Sequence, residues 1–201
     1  ELAKHFAGEG ISSMLFDLRD QGESGGKFTS SGFFEKSDVI AATHQITSNN
    51  CLIILGSSMG GATAILAAKQ LNSEVNGLII DSAYADIKDV LVSEIINSLL
   101  WNPSIAHILI PGASLMTKII YNIDLSQLNM INAISKIPYP VLIIHGLTDS
   151  RIPVNQAYQL YSKAPAGSKL IIVPEAGHTM SYVTDTKSYL SAVDQYIKNS
   201  C

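Results

Sequence analysis

Apolar positions along the chain fall into two regimes. Short runs rich in β-branched residues occur at 13–18, 51–55, 77–81, 141–145 and 169–173. Between them, apolar residues recur at helical spacing, most clearly at 33–47, 59–71, 155–163 and 184–198. Short runs without polar alternation are the mark of strands buried on both faces, and helices between them act as crossovers. The pattern therefore predicts an α/β fold with a mostly parallel, doubly wound sheet. One connection breaks the rhythm, because from Asp81 to Val141 the chain spends far more residues than one crossover helix needs. Its Leu, Ile and Met content, with Pro103 and Pro111 as breakers, predicts short helices lying over one end of the sheet, a cap at about 83–137. Residues 1–201 then read as one domain carrying that insertion, with no internal repeat, low-complexity tract or disordered linker.

Composition narrows the function classes. The 201 residues are 47% hydrophobic and 15% charged, with a formal net charge of −4. So mild an acidic balance offers no electrostatic footprint for nucleic acid or an anionic membrane. The most apolar stretch, 95–121, is interrupted by Asn97, Asn102, Pro103, His107, Pro111 and Lys118, which argues for an amphipathic cap against a membrane span. Cys51 lies in an apolar run, Cys201 is the last residue, and neither forms a C-x-x-C pair, so neither a disulfide framework nor a zinc site is expected. The opening ELAKHFAGEG lacks the basic-then-apolar order of a signal peptide, which makes a cytoplasmic location the expectation.

Chemistry gathers at the ends of the apolar runs. Gly56-Ser57-Ser58-Met59-Gly60 closes the second run and opens a helical pattern. This is G-x-S-x-G in the setting it needs: a nucleophilic serine projects from a sharp strand-to-helix turn whose glycines let two backbones approach. The turn places Ser58 at a helix N-terminus, where the Met59 backbone N–H can point at a developing oxyanion. A serine hydroxyl needs a base, and His178 follows the last run. Asp149, in His145-Gly146-Leu147-Thr148-Asp149, follows the run before it. In a parallel sheet these loops share one edge, so Ser58, Asp149 and His178 converge in the chain order Ser, Asp, His. Asp81, at the end of the third run, is the weaker alternative for the acid, and His145 is expected to hold the acid loop. His5, His44 and His107 suit solvated or capping roles. Asp17 and Arg19 are expected to tie the loop after the first run. A metal site from His145, Asp149 and His178 lacks a ligand-spacing motif, so no metal is expected.

Together these residues resemble the α/β-hydrolase superfamily, and within it the serine-aminopeptidase-like and bacterial esterase-like branch. The likeness covers nearly the whole chain. It rests on DLRDQGES, GSSMG, a strand closing in D-S-A, HGLTD and a terminal G-H, with Asp20 departing from the glycine of the D-x-R-G-x-G-x-S pattern. The resemblance implies a serine hydrolase without cofactor, acting on a small-molecule acyl substrate through an acyl-enzyme on Ser58. A carboxylesterase is the first reading; a peptidase, a thioesterase or a non-catalytic binding protein on the same fold are alternatives. Tyr84, Trp101 and Leu109 are the pocket candidates, with the cap as roof. Members of this branch carry three further strands and an H-G-x-x-G loop before the first helix. The residues from Glu1 resemble that helix already, so an N-terminally incomplete domain is expected, lacking a second oxyanion donor and the strand between 13–18 and 51–55. Oligomeric state is not indicated.

Overall fold

The computed structural model describes residues 1–46, 51–99 and 103–201, with the side chains of all of these but 94–99 and 103–107. In chain order the elements are α1 (Leu2–Gly8), α2 (Lys36–His44), β1 (Ile53–Ser57), α3 (Met59–Leu71), β2 (Gly77–Asp81), α4 (Ile87–Leu99), α5 (Pro103–Tyr121), α6 (Met130–Ile134), β3 (Val141–Gly146), α7 (Asn155–Lys163), β4 (Lys169–Val173), α8 (Ser181–Thr184) and α9 (Thr186–Ser200). The strands form a parallel sheet in the order β1-β2-β3-β4. Every residue of β2 and β3 is buried, as expected of apolar runs without polar alternation.

Successive side chains of a strand point to opposite faces, and the core divides accordingly. Leu78, Ile80 and Ile143 pack with α3 and α7 on one face. Ile79, Leu142 and Ile144 pack with Tyr189, Val193 and Tyr196 of α9 on the other, where Leu2 and Phe6 of α1 join them. Tyr189, Val193 and Tyr196 are spaced to share one helical stripe, and α3, the most apolar helix flanking β1 and β2, is buried from Gly61 to Ala68. The sheet is therefore doubly wound, and its parallel strands bring the ends of all four to one edge.

Some expected elements differ in extent. Residues 13–18 join no ladder, leaving Met14, Leu15 and Phe16 exposed. A strand needs a neighbour for its N–H and C=O groups, and among the described residues β1 pairs only with β2, so this run has none. The helix expected over 33–47 begins at Lys36, because residues 31–35 form a turn closed by buried Glu35, which accepts the N–H groups of Ser30 and Gly32 at 2.6 and 2.9 Å. The last helix is broken at Asp185, whose side chain caps the N-terminus of α9 by accepting from Ser188 N at 3.1 Å. Arg19 clasps Asp38 at 2.6 Å, and Asp17 accepts Glu23 N at 3.0 Å, so both tie down the loop as expected.

The long connection between β2 and β3 is largely helical among its described residues, but Pro111 does not break it as expected: α5 runs 19 residues with Pro103 at its start and Pro111 inside it. The two ends of the connection are clasped together by an antiparallel bridge between Asp86 and Asn129 and by Met130 N–H donating to Ala85 O at 2.9 Å. Within it α5 is anchored by Ile110 against Val92, while Ile108, Leu109, Leu115, Met116, Ile119 and Ile120 are exposed. Among the described residues, no helix is long and apolar enough to cross a membrane.

The cysteines correct the sequence reading: Cys51 and Cys201 form a disulfide, with Cα atoms 5.5 Å apart. The pair is separated by 150 residues, and α9 runs back along the sheet to end beside the start of β1. Local spacing motifs such as C-x-x-C are blind to a pairing made by the fold.

Candidate active site

Ser58 stands between β1 and α3 with φ 52° and ψ −122°. A non-glycine residue there carries strain of about 1–3 kcal/mol, which its surroundings must over-determine. They do so: Ser58 N–H donates to Asp81 O at 2.8 Å, and Ser58 O accepts Ala62 N–H at 3.1 Å. Crowding explains the glycines unevenly. A Cβ on Gly56 would strike the Gly60 carbonyl and one on Gly61 would sit 3.0 Å from the Ala83 Cβ, whereas one on Gly60 would meet nothing within 4 Å. The close approach expected of the motif's second glycine is made instead by Gly61. Met59 is the first residue of α3, where a backbone N–H has no intrahelical acceptor.

His178 reaches this turn from the loop after β4. Its Nε2 lies 2.9 Å from Ser58 Oγ, and its Nδ1 lies 2.8 Å from Asp149 Oδ2. The Asp149 side chain is fully buried and that of His178 is 17% exposed, so the acid is dry and the base meets the edge of solvent. Asp149 Oδ1 accepts the N–H groups of Arg151 at 3.0 Å and Ile152 at 2.8 Å, which fixes its second oxygen on the imidazole. A carboxylate on Nδ1–H leaves the Nε2 lone pair free to accept the serine proton. Acid and base loops are joined directly, because Thr148 donates its N–H and its hydroxyl to Ala176 O at 3.0 and 2.9 Å. Gly146 permits this approach, since a Cβ there would collide with the Ala176 carbonyl.

Hydrogen bonds thus join Ser58, His178 and Asp149, and the Asp81 side chain bonds elsewhere. Asp81 Oδ1 accepts the hydroxyls of Ser82 at 2.9 Å and Ser181 at 3.2 Å. Burial pushes the Asp81 carboxyl above the usual range, partly offset by these hydroxyls and by His145 and Tyr189. His145 is buried and donates Nε2–H to Ile152 O at 2.8 Å, holding the acid loop from beneath. His5 pairs with Asp194 at 2.9 Å and His44 with Glu74 at 3.0 Å, both away from the strand ends. Among the described residues, no group of three or more His, Cys, Asp or Glu could hold a metal ion.

The pocket candidates fare differently. Tyr84 is 3% exposed within the main core, and its hydroxyl donates to Ser31 O at 2.7 Å. Burial, and then the charge of Glu35, push that phenol's pKa upward. Tyr84 is therefore a core side chain, not the wall of an open pocket. Leu109, on α5, is 42% exposed. Trp101 lies outside the described residues. Sequence reasoning missed the roles of Ser82, Ser181 and Glu35; the D-S pair closing the third apolar run marks Ser82 but not its partners.

Fold and site define a class: a parallel α/β protein with a serine on a strained strand-to-helix turn, followed in the chain by aspartate and histidine, the arrangement of the α/β-hydrolases. A model of the family described as "Serine aminopeptidase, S33" matches residues 1–122, and the chain belongs to that family. It is 32% identical over 195 residues to the uncharacterized protein YqkD of Bacillus subtilis (strain 168), covering 94% of this chain and 63% of YqkD. It is 29% identical over 171 residues to the uncharacterized protein YfhR of Salmonella typhimurium, covering 84% of this chain and 55% of YfhR. The chain thus spans less than two thirds of the length of these relatives. In fold it is similar to the Pyrococcus furiosus esterase PF2001, with a TM-score of 0.76 at 20% identity over 98% of this chain and 73% of that one.

Proposed function

We propose that this chain carries the catalytic centre of a serine hydrolase that cleaves acyl esters. One observation carries the reading: the hydrogen-bonded series Ser58 Oγ, His178, Asp149, with Ser58 on a turn at positive φ. In the reaction His178 takes the Ser58 proton as Oγ attacks the carbonyl, and Met59 N–H donates to the oxyanion. His178 then protonates the leaving alcohol, and water releases the acyl group by the same base. The solved esterase of the same fold supports an ester substrate. The family description favours a second reading, hydrolysis of an N-terminal peptide bond, which needs the same three residues and differs in the leaving group. In this reading the helical segment between β2 and β3 acts as a cap that selects the acyl chain. The Cys51–Cys201 pair favours an oxidising compartment over the cytoplasmic location expected from the first residues.

The test is labelling with a fluorophosphonate followed by peptide mapping, with hydrolysis of p-nitrophenyl acetate, p-nitrophenyl butyrate and an aminoacyl p-nitroanilide alongside. The expected outcome is label on Ser58, faster turnover of the esters, and a fall on the order of 10⁴-fold or more in Ser58→Ala. Label on another serine, or none on folded protein, would remove Ser58 as nucleophile. Preference for the anilide would transfer the assignment to a peptidase.

A further inference from the structure

Behind the Ser58–His178–Asp149 series lies a second polar cluster that the proposed reaction does not use. Asp81, Ser82 and Ser181 are 4%, 0% and 0% exposed. Asp81, the last residue of β2, faces two ways. Its carbonyl accepts the Ser58 N–H at 2.8 Å, and its Oδ1 accepts the hydroxyls of Ser82 and Ser181. Ser82 Oγ in turn accepts the N–H of Thr179 at 3.1 Å. The direction is fixed by proton count: an amide N–H only donates, and a serine hydroxyl has one proton, which Ser82 gives to Asp81. Thr179 directly follows His178. Ser58, Ser82 and Thr179 take φ of 52°, 53° and 59°, so three strained residues meet at one anchor. Ser181 holds the far end of the same turn, at the start of α8.

We propose that Asp81 and Ser82 are positioning residues that set the distance between nucleophile and base. Asp81 pins the Ser58 turn through its backbone carbonyl and the His178 loop through the Ser82 hydroxyl. The 2.9 Å separation of Ser58 Oγ and His178 Nε2 is thereby referred to one common residue. Independent loops would drift, and a misplacement of 1 Å in such a pair costs about 10²-fold in rate. An Oδ1 acceptor serves the two hydroxyls whether or not the carboxyl is ionised, so the anchor does not depend on its charge.

The experiment compares Ser82→Ala and Ser82→Gly with the parent chain. Both remove the hydroxyl, and glycine also relieves the positive φ. Two quantities are read: the rate constant of fluorophosphonate labelling at Ser58, and the downfield proton resonance of His178 Nδ1–H, which reports its bond to Asp149. Only the first rests on the acyl-hydrolase reading. With folding verified by circular dichroism, both variants are expected to label about tenfold or more slowly and to show a shifted or broadened resonance. Labelling within about twofold of the parent and an unmoved resonance overturn the proposal. So does a Ser82→Gly variant that matches the parent while Ser82→Ala does not, because the role of Ser82 would then be backbone conformation alone. A parent that shows the resonance without labelling sinks the hydrolase reading, and the resonance in the variants then decides the positioning role. A folded parent lacking the resonance overturns the proposal.

Discussion

At the scale of residues, two buried aspartates divide two tasks. Asp149 places one oxygen on His178 and fills the other with backbone N–H groups, while Asp81 makes no such bond and faces serine hydroxyls. Asp149→Asn removes the charge that fixes the Nδ1–H tautomer, so labelling at Ser58 is expected to slow on the order of 10³–10⁴-fold. Asp81→Asn keeps an oxygen acceptor and is expected to cost far less; equal losses would contradict the division. Stability gives an independent check. Burial raises the Asp81 carboxyl, so the folded state holds that proton more tightly than the unfolded chain does. The stability this group contributes therefore falls as pH rises from its unfolded value through its folded one, and a penalty persists at neutral pH. The change in Tm on Asp81→Asn should accordingly be more favourable at pH 7 than at pH 4. The meeting of Asp149 with His178 was legible from HGLTD, because an aspartate ending the strand beside the histidine's own strand lies at the same sheet edge. Ser82 was illegible, since its role depends on a hydroxyl meeting a loop that follows it by almost a hundred residues.

At the scale of elements, strands and crossover helices could be read wherever apolar residues had a partner to bury against. β2 and β3, buried on both faces, fall where the runs predict them. The run at 13–18 looks as strand-like in sequence, yet it joins no ladder among the described residues, because pairing is a property of neighbours and not of the run. For α5 the sequence predicts an amphipathic cap helix, and its described side chains divide in that way: Ile110 is 8% exposed on Val92, while Ile119 is 70% exposed. Ile110→Ala is expected to destabilise the α4–α5 pair by about 2–4 kcal/mol, as loss of a buried large side chain does. Ile119→Ser should stay within about 0.5 kcal/mol. Hydrogen exchange of the α5 amides measures both, and equal protection in the two variants would mean that α5 is not anchored through Ile110.

At the scale of the whole molecule, the approach to the sheet's first strand and the chain's last residue are tied by Cys51 and Cys201. Two mechanisms could make that tie matter, and the structure separates them. In the native state α9 is held independently: Tyr189, Val193 and Tyr196 are buried on the sheet, and Tyr196 accepts Leu78 N–H at 2.9 Å while donating to Pro140 O at 2.6 Å. Breaking the disulfide should therefore free only the last turn of α9, seen as faster amide exchange near the C-terminus with exchange around Tyr189 unchanged. In the unfolded state the same bond closes a loop spanning a separation of 150 residues, which restricts the chain far more. Closing so long a loop is worth about 2–4 kcal/mol, so reduction, or Cys201→Ser, is expected to lower Tm by roughly 5–15 °C with secondary structure intact. Two reactive thiols in protein never exposed to reductant would show that the bond does not form. A Tm indifferent to reduction would show that its loop is already restricted in the unfolded chain. If instead α9 exchanges along its whole length after reduction, the buried tyrosines do not suffice to dock it, and the covalent tie is what completes that face of the sheet.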